Sequence, residues 1–87
     1  MHTDEYEISL SRELDVCRGK IKEICRFLAG MEKRYSLDTE TFAREFRDGR
    51  QTGHAHDFAL WVDNYEDLKR WRKMEKQYEE LLKRMKI

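Results

Sequence analysis

Eighty-seven residues, 39% of them hydrophobic and 41% charged, are enough for one domain with a thin core, because a chain this short buries only about 60–65% of the surface that its unfolded form exposes. Eighteen basic and eighteen acidic residues cancel, which removes the strongly positive character of a dedicated nucleic-acid binder. The lack of proline and the four glycines leave too few turn signals for a β-rich fold, and no apolar run approaches the ~18 residues of a membrane span.

Residues 1–9 read as an acidic lead-in, in which Tyr6, Ile8 and Leu10 alternate with polar residues as in a short strand. From Leu10 the period changes, and residues 10–87 read as one helical domain. Leu10, Leu14, Cys17, Ile21, Ile24, Leu28, Met31 and Tyr35 recur at steps of four and three, the spacing of a narrow apolar seam that faces a partner helix. Ser11 is the expected N-cap, with Glu13 and Asp15 in a first turn that favours negative charge. Val16, Cys25 and Phe27 widen or flank the seam. Gly19 and Gly30 lie off it and cost about 1 kcal/mol each relative to alanine, which this helix is expected to tolerate.

A short second helix is predicted from Thr39, capped by Asp38 and ended at Gly49, with Phe42 and Phe46 forming one patch at i, i+4 spacing. Residues 50–56 form a polar loop. The third helix is expected to start after Asp57 as N-cap and to continue almost to the C-terminus. Phe58, Trp61, Tyr65 and Leu68 carry the seam spacing, and Trp71, Met74, Tyr78, Leu81 and Met85 take it over with a drift. Glu66 with Arg70, Glu79 with Lys83 and Glu80 with Arg84 have the spacing of stabilising i, i+4 pairs. The expected fold is therefore all-α: a long amphipathic helix, a short helix and a second long helix, forming a helical hairpin or bundle that dimerisation completes.

From Tyr35-Ser36-Leu37-Asp38-Thr39-Glu40-Thr41-Phe42, through Phe46 and Gly49, to Asp57-Phe58-Ala59-Leu60-Trp61, the chain resembles a group of small helical prokaryotic proteins. These pair a long N-terminal helix with a short capped helix and a Trp-bearing third helix, and some are similar to the antitoxin halves of toxin–antitoxin pairs. The resemblance covers about residues 28–70 and lies in packing, not chemistry. It implies an interaction role opposite a toxin-like protein. The chain departs from the group's pattern at Asp38, where such proteins often have serine, at Thr41, where an acidic residue would complete a capping box, and in the loop with His54 and His56.

Sites of chemistry are sparse. His54 and His56 can approach one metal in an extended loop, but further ligands would have to come from Cys17, Cys25 or Asp57, so no metal and no cofactor is expected. Cys17 and Cys25, about 12 Å apart along one helix, are too distant for a disulfide and read as small hydrophobes. With neither a secretory signal nor a membrane span, a cytoplasmic location follows. Lys69-Arg70-Trp71-Arg72-Lys73 mixes cations with an aromatic ring, a composition that grips phosphates and stacks bases; core packing with solvated charge is the favoured reading.

No paired carboxylates and no nucleophile with a base advertise an enzyme. The expected function is a non-enzymatic protein-interaction module, antitoxin-like, whose partner is a second copy or a toxin-like protein. Its interaction residues are Leu14, Cys17, Ile21, Ile24, Leu28, Met31, Trp61, Tyr65, Leu68 and Trp71. The alternatives are a self-assembling structural protein and a ribbon–helix–helix DNA-binding regulator, whose strand would present Glu5, Glu7 and Ser9 outward, two of them repelling phosphate.

Overall fold

The computed structural model describes residues 5–85 and is built of three helices: α1 over Glu5–Tyr35, α2 over Thr39–Arg47 and α3 over Ala55–Met85. Residues 1–4 of the expected lead-in lie outside the described part. Glu5–Ser9 continue α1 in the N-terminal direction, so the strand-like alternation of Tyr6, Ile8 and Leu10 forms helix and Ser11 is not its cap. The reason is visible in retrospect: Tyr6 and Leu10 extend the four-residue step of the seam, and Glu5 and Glu7 place negative charge in the first turn.

Two left-handed residues, Ser36 and Gly49, turn the chain after α1 and α2. Ser36 (φ 52°) follows α1, and the Leu37 amide donates to the Glu32 carbonyl, closing the helix end in a Schellman-type turn. Gly49 (φ 77°) follows α2 in the same way, with the Arg50 amide donating to the Glu45 carbonyl. Asp38 caps α2 as expected, accepting from the Thr41 amide at 3.1 Å. The next amide, Thr39, donates to the Glu32 carboxylate of α1 at 2.8 Å. A residue of the preceding helix, seven positions back, thus supplies the second acceptor that Thr41 does not. α3 begins three residues before its expected start, since the Phe58 amide already donates to the His54 carbonyl, and Asp57 sits inside the first turn.

α1 and α3 run antiparallel along a molecule of 59 × 20 × 17 Å. Their register is marked by Tyr35 against Asp57 and Phe58 at one end, Cys25 beside Arg72 in the middle, and Arg18 bridging Glu75 and Glu79 further on. The seam of α1 is therefore covered by its own chain: Leu10, Leu14, Cys17, Ile24, Leu28 and Met31 are buried, Ile21 half-buried. α3 is as long as α1 and so covers the seam along most of its length.

α2 folds over one end. There Phe42 and Trp61, both fully buried, stack with ring centroids 3.8 Å apart and planes 5° from parallel. Phe58 meets Phe42 edge-on at 5.0 Å, and Ile24, Leu28, Met31 and Leu68 complete the core. At this closed end three helices enclose apolar side chains. At the opposite, open end only two helices remain.

Candidate interaction surface

Local pairing uses up most of the polar groups. Lys69 lies 4.4 Å from the Tyr65 ring centroid and reaches Glu66, Arg70 pairs with Asp67, and Arg72 reaches the Cys25 thiol at 3.9 Å. The ion pairs on α3 are thus three residues apart, or cross to α1 as Glu79 does with Arg18, instead of following the expected i, i+4 spacing. Trp71 is half-buried against the core. Three cations of the basic segment, Lys69, Arg70 and Arg72, are thus engaged at their own helix or at α1.

At the closed end, the Tyr35 hydroxyl donates to Asp57 at 2.5 Å and Arg34 approaches the same carboxylate at 3.4 Å. The tyrosine hydroxyl, followed by the arginine charge, holds the Asp57 carboxyl below its ordinary value, and the same hydrogen bond pushes the Tyr35 phenol up. His54 packs on the Tyr35 and Phe58 rings. Cys17 sits in the helix interface, where burial, then Glu13 and Glu75, push its thiol up and away from reactive thiolate. Both cysteines are free. Among the described residues, no three His, Cys, Asp or Glu side chains come together as metal ligands, and no helix is long and apolar enough to cross a membrane.

Of the ten residues expected to bind a partner, Leu14, Cys17, Ile24, Leu28, Met31, Trp61 and Leu68 are buried inside the hairpin, and Ile21, Tyr65 and Trp71 are half-buried. The seven buried ones hold the chain together, while Trp71 begins a stripe that stays at the surface. Beyond Leu68 no described residue of α3 is buried, while Trp71, Met74, Tyr78, Leu81 and Met85 form a half-buried stripe and half-buried Leu82 turns toward Leu14. At 3.6 residues per turn this stripe is centred about 110° around α3 from Leu68 and Trp61, which face α1. On the same side α1 carries Val16, 50% exposed, and half-buried Phe27, and a groove lined by Lys20, Ile24, Phe27, Asn64, Asp67 and Trp71 runs between the helices.

The other face of the open end is charged, its groove lined by Arg18, Lys76, Glu79, Glu80 and Lys83 around Leu14 and Leu82. α2 sits on that charged side, its residues sharing a groove with Val62, Tyr65 and Lys69 of α3. The apolar face is therefore unobstructed. Sequence periodicity registered the drift but not its direction, since only the register against α1 tells which side of α3 points inward.

The fold and surface define an antiparallel helical hairpin, capped at one end by a short helix and apolar on one face at the other. Comparison with protein-family models, curated proteins and solved structures finds no match.

Proposed function

We propose that the chain is a non-enzymatic protein-interaction module whose open end binds a protein through the face formed by Val16, Phe27 and the Trp71 to Met85 stripe. One observation carries this reading: five apolar side chains of α3, Trp71, Met74, Tyr78, Leu81 and Met85, stand in a row at the edge of their own hairpin, none of them fully covered. A contiguous apolar patch rimmed by charge is the usual mark of a protein contact. The groove beside it holds Lys20, Glu23 and Asp67, polar groups of both signs that suit the rim of an interface. An antitoxin-like role with a toxin-like partner is compatible with this face and rests on the packing pattern of residues 28–70. Ribbon-type DNA readout loses its strand, because Glu5, Glu7 and Ser9 are helical.

The test is a photo-crosslinking amino acid placed at Val16 on the apolar face or at Lys76 on the charged face, in cells. A discrete protein adduct, with the chain itself or with another protein, is expected from position 16 and not from position 76. Equal or absent labelling at both positions removes the reading.

A further inference from the structure

We infer that the occupant of this face is a second copy of the chain, the two open ends packing antiparallel about a two-fold axis at Val16 and Tyr78 to complete a four-helix bundle. This rests on the interaction-module reading above and names its partner.

The α3 stripe is close to its own reverse. About Tyr78, inversion places Trp71 beside Met85 and Met74 within one residue of Leu81, large side chains of the same half-buried class. A two-fold interface requires this property, since each patch must fit itself. The α1 side obeys the same centre. Arg18 paired with Glu75 and Glu79 sets the helix register, which brings Tyr78 level with the turn of α1 that precedes Arg18 and contains Val16. Inversion at Val16 lays Glu13 within one residue of Lys20 of the other copy, twice by symmetry, and lays exposed Tyr6 within one residue of Phe27. Within the chain Lys20 reaches only an exposed Glu23 at 3.8 Å, a loose pair that readily exchanges.

With that centre α1 overlaps its copy along 23 residues, roughly 34 Å, and α3 along Trp71 to Met85, so the apolar stripe is opposed along its whole described length. α2 lies on the opposite face, and the closed ends project past each other without obstructing the contact.

Light scattering on the intact chain at tens of micromolar is expected to give twice the 10.7 kDa chain mass. Tyr78→Glu puts two like charges on the axis and is expected to give monomer with undiminished helical circular dichroism. Glu13→Lys is expected to weaken the dimer about tenfold, through two symmetric ion pairs of under 1 kcal/mol each, and the double variant Glu13→Lys with Lys20→Glu to recover it. Should Tyr78→Glu unfold, cross-linking decides. In a Cys25→Ser background, where Cys17 is buried, Val16→Cys is expected to form a disulfide-linked dimer on mild oxidation and Lys76→Cys is not. Monomer mass together with no Val16→Cys dimer overturns the second copy as occupant. If photo-crosslinking from Val16 then still yields an adduct with another protein, the interaction module stands and only the partner is wrong; with no adduct, both fall.

Discussion

The indole N–H of Trp61 donates to the Thr39 hydroxyl at 3.0 Å, both side chains being buried, which makes this single hydrogen bond expensive to lose. Thr39→Val keeps the shape but leaves the indole donor without an acceptor, and should cost about 1–3 kcal/mol in chemical denaturation, whereas Thr39→Ser should cost under about 1 kcal/mol. The Tyr35 to Asp57 contact makes a different prediction. Asp57 has a lowered carboxyl pKa in the folded chain, so its contribution is present above the unfolded carboxylate value, about 4, and is lost as pH falls through the folded value. Tyr35 has a raised phenol pKa, so its contribution is present below about pH 10 and is lost as pH rises through the folded value. Thermal melts of Tyr35→Phe across pH should show no alkaline decline from this pair and a shallower acid decline. The acid limb should not vanish, because the Thr41 side chain and amide also hold Asp38 low.

At the level of elements, stability turns on helix ends and on glycine. Nothing lies within 4 Å of a Cβ added at Gly19 or Gly30, and neither has positive φ, so Gly19→Ala and Gly30→Ala should each stabilise the chain by about 0.5–1 kcal/mol. At Gly49, with φ 77°, alanine also meets open space but must adopt the left-handed conformation, so Gly49→Ala should destabilise by about 1 kcal/mol. Ser36 already bears that strain, and Ser36→Gly should relieve it with a rise in melting temperature. Urea titrations of the four variants test both the signs and their contrast.

For the whole molecule, the asymmetry between closed and open ends should appear in its dynamics. Three helices and the Phe42–Trp61 stack enclose one end, while two helices with half-buried side chains form the other. Amide hydrogen exchange is expected to be slowest around Leu28, Phe42 and Trp61, and faster in α3 beyond Met74. Phe42→Ala, which empties a fully buried site, should cost about 3–5 kcal/mol and unfold the closed end. Slow exchange at Leu81 equal to that at Trp61, at concentrations where the chain is monomeric, would contradict this division.

All-helical architecture, the seam from Leu10 to Met31, the Asp38 cap and the Gly49 stop were legible in the sequence, because helical periodicity and capping are local chemistry that neighbours in the chain write together. So were the members of the second stripe, Trp71 to Met85, and the flanking Val16 and Phe27. Other features were decided only by tertiary structure. The Glu32 acceptor for Thr39 depends on how the Ser36 turn folds α2 back on the end of α1, and the Tyr35 to Asp57 bond and the use of the seam inside the chain depend on how α1 and α3 are aligned. A periodic pattern states that a face must be covered and is silent on what covers it; alignment of two helices of equal length is what turned the seam inward and left the drifting stripe outside.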